Sequence, residues 1–429
     1  MKLASFGLTF CLAAGAFAAA PAISNVSIAQ AADARTATIT YDLDADAYVT
    51  LELRAGDAPL APEAYGGVGG NVNRLVAAGT GRKIVWRPDR AASQPADLAA
   101  VTPVLTAWHR DVPPPYMVVD LQGGGVAYHA STNEIPYGIK DKMYKTTHLV
   151  LAKIPAAGRT WMMGSAAGEQ STPRREIQRL VTFTNDYYMG IYEFTNGQWL
   201  QFMSSTPAKS HPYDDADVCP VDSCTYDAVR GGAFTAAPTA SSLVGLLRKR
   251  TGMAFDLPTH AQWEVAARAG CTGLVIVPGA AMNDVAWTLS NYTADPKFKA
   301  GIYKGNATHE VGLLLPNAFG LYDMQGNVLE MGCEALYDDR ATQLLALGLT
   351  EETVRTEVQV EPQVTATSFT ANGTTYKAGL TVGRWAGAFR ENAGNAHSVS
   401  RWAAYGGGAE VDTGFRVMCP AANGGRLGD

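Results

Sequence analysis

The sequence carries no block of like charges and no basic surplus: 34 Lys and Arg stand against 40 Asp and Glu, a formal net charge of -6. A phosphate-backbone binder needs a basic face, so no nucleic-acid partner is expected. After the N-terminal segment, no apolar stretch approaches the ~20 residues of a membrane-spanning helix, so no stable membrane span is expected. Cysteine is sparse, six in 429 residues, and lacks zinc-finger spacing. The seven histidines include no His-x3-His pair of the kind that sets two ligands on one helical face. No Gly-x-Ser-x-Gly nucleophile elbow occurs, and the Gly123–Gly125 run lacks the Lys-Ser/Thr pair of a phosphate loop.

The N-terminal segment reads as a targeting signal. Lys2 gives a positive start, "LASFGLTFCLAAGAFAAA" is apolar and small, and Ala16-Phe17-Ala18 resembles a cleavage site. Residues 1–20 are therefore expected to be removed and the protein exported, to the periplasm, the cell surface or the medium. Cys11 lies in this segment. Of the others, Cys219 and Cys224 flank "PVDS" and can close a small loop in an oxidising compartment. For Cys271 and Cys333, plain burial in the core is the alternative.

Residues 22–110 read as all-β. Ala37, Ile39 and Tyr41 alternate with Thr36, Thr38 and Thr40, and alternation resumes at Val49, Leu51 and Leu53. "RKIVWRP" and "VTPVLTAWH" supply more strands, so a small sandwich of immunoglobulin or fibronectin type is expected. Asp42, Asp44 and Asp46 lack the distal Glu of a calcium loop and read as a polar turn. Proline-rich "RDVPPPYM" opens a linker with connecting strands over 111–144. Residues 145–420 form a second domain, and 421–429 a tail. There, Thr195 with Gln198 and Thr259 with Gln262 predict two capping boxes, and Ser242 to Gly252 a third short helix. "FTANGTTYK" predicts a hairpin through Asn372-Gly373. Long Gly- and Asn-rich stretches between these imply an α+β domain with much irregular backbone.

"LYDMQGNVLEM", residues 321–331, sets Asp323 and Glu330 in an apolar run around a Gly-Asn pair. Two carboxylates in such a run either reach water from a loop or hold a cation. A Gly-Asn turn lets both converge, and Ca2+ takes ~6–8 hard oxygens from carboxylates, carbonyls and water. The other reading has Asp323 capping a turn and Glu330 paired with an arginine such as Arg416.

"WMMGS" (161–165), "YYMGIYEFTNGQWLQFM" (187–203), "LPTHAQWEVAARAG" (257–270), "THEVG" (308–312), "PNAFGLYDMQGNVLEM" (316–331) and "TGFRVM" (413–418) occur in one order. Together they resemble the formylglycine-generating enzyme, or sulfatase-modifying factor, domain family. The resemblance implies a C-type lectin-like fold low in regular secondary structure. It implies a structural calcium ion held by the side chains of Asp323 and Glu330 and the carbonyls of Gly326 and Val328. For a further calcium site, Asn291 and Asp295 match weakly. The family's copper-binding cysteine pair would fall in "RWAGAFRENAGNAHSVSRWAAYGGGAEVDTGFRVM", which contains no cysteine. Copper is therefore not expected. Nor are the iron-binding histidines of the sulfoxide-synthase branch present in recognisable form; His260 reads as solvent-exposed, and His397 lies near the lost cysteines.

The expectation is an exported, calcium-stabilised binding or scaffold protein for a polypeptide or glycan, with no catalytic residue assigned. Its cleft would lie near Arg390, Asn392, Asn395, His397, Arg401 and Trp402. The alternative is an active formylglycine-generating or related metal-dependent oxidase using other ligands, for example Cys333 or Cys419. A lectin-like adhesin lacks support, since Glu-Pro-Asn, Gln-Pro-Asp and Trp-Asn-Asp sugar motifs are absent.

Overall fold

The computed structural model describes residues 20–427 apart from 32–34, 89–97, 165–177, 211–214, 292–306, 336, 338–339, 366–367, 372–373, 378–381, 386, 391, 394–395, 397–400 and 404–408. In the N-terminal part, strands Ala37–Leu43 and Ala47–Ala55 follow the alternation, with Ile39, Tyr41, Val49 and Leu51 buried in one cluster. These two strands do not form a hairpin with each other. Ala37–Leu43 pairs with Ile23–Gln30 and Gly79–Trp86, while Ala47–Ala55 pairs with Ala58–Pro59, Arg74–Val76 and Val101–His109. The polar turn passes the chain from one sheet to another, and its carboxylates fix that path. Asp42 accepts from Gly81 N–H and Asn25 Nδ2, Asp44 from Ala22 N–H, and Asp46 from Ala78 N–H. Each aspartate thus has a structural partner of its own.

A five-stranded sheet follows, in the order Val126–His129, Tyr116–Asp120, His148–Ile154, Tyr187–Gly190, Met418–Pro420. Successive side chains point to opposite faces of a strand, and both faces here are covered. Met117, Val119, Leu149, Leu151 and Tyr188 enter one core; Val118, Val150, Ala152, Ile154 and Met189 enter the other. The proline run is docked rather than free: Lys153 N–H donates to Pro115 O at 2.7 Å and Tyr188 Oη to Pro114 O at 2.6 Å. A four-stranded sheet, Arg401–Ala403, Val382–Trp385, Leu329–Ala335, Thr413–Gly414, carries the wholly buried Leu329–Ala335 strand.

Helices are short and capped where the motifs require. Thr195 and Gln198 form a reciprocal capping box over Asn196–Trp199, and Thr259 and Gln262 another over His260–Arg268. Ser242 caps Leu243–Thr251, which ends at left-handed Gly252. Strands Ser368–Ala371 and Thr374–Lys377 pair antiparallel as expected; the Asn372-Gly373 turn lies outside the described residues. No helix among the described residues is long and apolar enough to cross a membrane.

Candidate functional site

The 321–331 loop is built on left-handed backbone. Asp323 has φ 55°, Gly326 79° and Asn327 56°. At Gly326 a Cβ would lie 2.4 Å from Trp287 O, so only glycine fits the turn. This turn folds the chain inward, and every residue from Leu321 to Met331 is buried.

Glu330 lies at 0 % exposure and gives both oxygens to Arg416, which donates from Nε at 2.9 and 2.8 Å and from Nη2 at 2.6 Å. Trp263 Nε1 donates to the same carboxylate at 2.7 Å. The guanidinium also donates to Gly190 O and Tyr322 O. The sequence reading that paired Glu330 with Arg416 is thus what the structure contains. Asp323 Oδ2 accepts from Gly312 N–H at 2.7 Å, while its buried Oδ1 has no hydrogen-bond partner. A further carboxylate, Glu193, accepts from Asn327 Nδ2 and Val328 N–H. Sequence reasoning missed it, although a lone acid in "GIYEFT" is the same signal that drew attention to Asp323 and Glu330.

Glu193, Asp323 and Glu330 share one electrostatic neighbourhood with the Arg416 guanidinium, and Lys145 also acts on Asp323. Burial pushes the Asp323 carboxyl up to about 6 and Glu193 well above the usual carboxylate range, with Asp323 and Glu330 adding to the latter. The buried carboxyls, the orphaned Asp323 Oδ1 and the loop's own Gly326 and Val328 carbonyls are oxygen donors of the kind a hard divalent cation takes. Such an ion would share Glu330 with Arg416. No group of three or more His, Cys, Asp or Glu side chains converges as a metal site among the described residues.

Gln325, also buried, ties the loop to two other segments. Its Oε1 accepts from Ile276 N–H, and its Nε2 donates to Leu274 O at 2.8 Å and Ala396 O at 2.7 Å. Phe389 N–H donates to Asn327 O. Phe389 and Ala396, which flank Arg390 and Asn392 of the expected cleft in sequence, are therefore tied to the loop. Within that cleft Arg390 and Asn392 are exposed. Asn395 and His397 lie outside the described residues, and for Arg401 and Trp402 only the backbone strand is described. Asn291, a weak calcium candidate, is buried and bonds Thr288 N–H and Ala286 O; Asp295 lies outside the described residues.

Cys224 is a free thiol, so Cys219 and Cys224 do not close a loop. Cys333 and Cys419 sit in the core on separate carbonyls, Phe234 O and Gly425 O, and burial pushes each up to about 12. His260, expected at the surface, is buried. The Leu329–Ala335 strand covers the helix start, where His260 N–H donates to Glu334, and His260 Nε2 lies 3.3 Å from Glu264.

Comparison with known proteins matches residues 152–420 to the sulfatase-modifying factor enzyme 1-like domain. The chain belongs to that family. A curated relative, "Chaperone protein LppX" of Paenibacillus barcinonensis, is 28% identical over 171 residues, covering 34% of this chain and 61% of the relative. The chain thus spans less than two thirds of that protein. Among solved structures, PvdO from Pseudomonas aeruginosa is similar at 21% identity and TM-score 0.43, covering 63% of this chain and 93% of PvdO. Treponema denticola variable protein 1 aligns at 18% identity and TM-score 0.44, over 64% of this chain and 95% of its own.

Proposed function

We propose that this member of the sulfatase-modifying factor family is an exported binding protein that keeps the family's framework without its thiol oxidation. One observation carries the reading: between Phe389 and Phe415 the sequence has no cysteine. Cys333 and Cys419 are poor replacements for the pair, because each is buried on a carbonyl of its own and burial holds it away from the thiolate that a nucleophile needs. The partner is a polypeptide or glycan, and the chaperone name of the curated relative favours a polypeptide. Its cleft lies around Arg390, Asn392, Asn395, His397, Arg401 and Trp402. The N-terminal two-sheet unit is of immunoglobulin type.

The framework includes a structural calcium ion on Asp323 Oδ1 and the Gly326 and Val328 carbonyls, shared at Glu330 with Arg416. Bound there, the ion supplies charge neutralisation and no chemistry. The oxidation reading is tested by incubating copper-loaded protein with a sulfatase-type cysteine peptide and following its mass. No change is expected; conversion of thiol to aldehyde would restore the alternative of an active oxidase with other ligands. Binding of unfolded or extended polypeptides, lost on Arg390→Ala with Asn392→Ala, tests the cleft.

A further inference from the structure

The two-sheet unit and the family domain meet in a closed junction. Tyr48 of the Ala47–Ala55 strand lies against Tyr128 of the Val126–His129 strand, ring centroids 4.7 Å apart, and Tyr128 lies 6.4 Å from Tyr188. Tyr128 Oη donates to Gly424 O, placing the chain's last turn on the same seam. Two backbone bonds cross between the units: Tyr128 N–H to Asn73 O at 2.8 Å and Tyr137 N–H to Pro62 O at 3.1 Å. Between these crossing points, in sequence, lie two buried ionisable side chains that the binding site does not use, His129 and Glu134.

Glu134 is 4 % exposed and its carboxylate has local partners: Ala130 N–H at 2.9 Å, Ser131 Oγ at 3.5 Å and the Ser131 backbone. The packed elements bring Glu52 and Arg54 from Ala47–Ala55, Glu63 and Tyr65 from Pro62–Tyr65, Arg74 from Arg74–Val76, and Tyr116 from Tyr116–Asp120. Glu52, whose carboxylate pairs with Arg54, is the charge that acts on Glu134, and it repels. His129 is 2 % exposed; its ring bonds to the Glu134 backbone, and its Nδ1 has no hydrogen-bond partner. Burial pushes Glu134 up to about 7 and, with opposite sign, His129 down to about 4.

We propose that this junction is a proton-compensated latch, in which Glu134 and His129 are both enclosed uncharged so that opening it releases a proton from one and takes up a proton at the other. The acid alone would make the junction looser as pH rises from its ordinary carboxylate range to neutrality. The imidazole alone would make it looser as pH falls over nearly the same span. Together they hold the strength of the junction level through mildly acidic and neutral conditions, with no net proton exchanged. The device is independent of what the cleft binds.

Hydrogen exchange at the Tyr128 and Tyr137 amides, corrected for intrinsic rates, reads the opening directly. In the wild type the opening constant is expected to change less than about threefold between about pH 5 and 7. Glu134→Gln leaves the imidazole uncompensated, and opening should fall about twentyfold as pH rises over that span. His129→Gln leaves the acid, and opening should rise about fortyfold. The double variant should be level again. Equal pH slopes in the two single variants, or slopes of the reverse sign, would overturn the proposal. Should either variant fail to fold, the His129 ring in the wild type decides by NMR: it should stay neutral at pH 5, and titration near the ordinary imidazole range would sink the idea.

Discussion

Arg416 grips Glu330 through both carboxylate oxygens, with both side chains at 0 % exposure and Nη2 2.6 Å from Oε1. The pair joins Arg416 to the 321–331 loop, and through Gly190 O it reaches the end of Tyr187–Gly190, an inner strand of the five-stranded sheet. Glu330 and Arg416 thus set the loop to which Phe389 and Ala396 are hydrogen-bonded.

Breaking this pair should be costly because it strands a buried charge rather than because the pair itself is strong. Arg416→Met is expected to lose about 3–5 kcal/mol in urea denaturation. Glu330→Met combined with Arg416→Met should recover part of that loss, since Glu330 is then no longer stranded, while Asp323 and Glu193 still lose the guanidinium. A double variant as unstable as Arg416→Met would show that geometry at this position, not charge, limits stability.

Local signals were the legible part of this chain. The two capping boxes at Thr195 and Thr259 need only side chains three residues apart, and both formed as written. Alternation placed Ile39, Tyr41, Val49 and Leu51 correctly inside. Partner choice was not legible: alternation says which face of a strand is buried, not which strand lies beside it, so the two strands about the Asp42–Asp46 turn carried no sign that they enter different sheets. His260 failed for a similar reason. Its burial is imposed by a strand some seventy residues later, through Glu334, and nothing near His260 in the chain announces it. Of the site, Asp323 and Glu330 were readable as acids in an apolar run. Glu193 and the clamp at Gln325 draw their meaning from contacts across the fold.

Gln325→Ala tests whether that clamp shapes the cleft. The change removes one acceptor from Ile276 N–H and two donors from Leu274 O and Ala396 O in a buried setting. Each orphaned group costs about 1–3 kcal/mol, so a total loss of at least about 3 kcal/mol is expected, with faster exchange of the Ile276 amide. Polypeptide binding should weaken more than global stability predicts if the proposed cleft depends on Ala396, which Gln325 holds. Unchanged Ile276 exchange would show that the loop is held by other contacts.

Calcium at the 321–331 loop makes a prediction about stability and needs no activity. An ion that binds only the folded state at about 100 times its Kd adds about 2.7 kcal/mol. Adding EGTA to purified protein should therefore lower Tm, and calcium should restore it. Asp323→Ala should be less stable in either condition, since Gly312 N–H loses its acceptor, but the difference between the two conditions should vanish. If Asp323→Ala keeps the full calcium response, the ion sits elsewhere.

Acid should reveal the charge network at the start of the His260–Arg268 helix. Glu264 is fully buried, and burial by itself would raise its carboxyl; His260 beside it and Arg268, whose Nε donates at 2.7 Å, overcome that and hold it at about 2. A carboxylate held below its unfolded value adds stability that is complete above about pH 4.5 and is lost as pH falls toward 2. Wild-type stability should therefore decline over that window. Glu264→Gln, which cannot ionise, should be less stable at pH 7 yet decline less between pH 4.5 and 2. Arg268→Met should bring the onset of acid unfolding to higher pH, because the carboxylate then loses one of the cations that hold it ionised. Urea titrations of the three proteins at pH 7, 5, 4 and 3 separate the cases. Parallel pH profiles for wild type and Glu264→Gln would mean that other carboxylates govern acid unfolding.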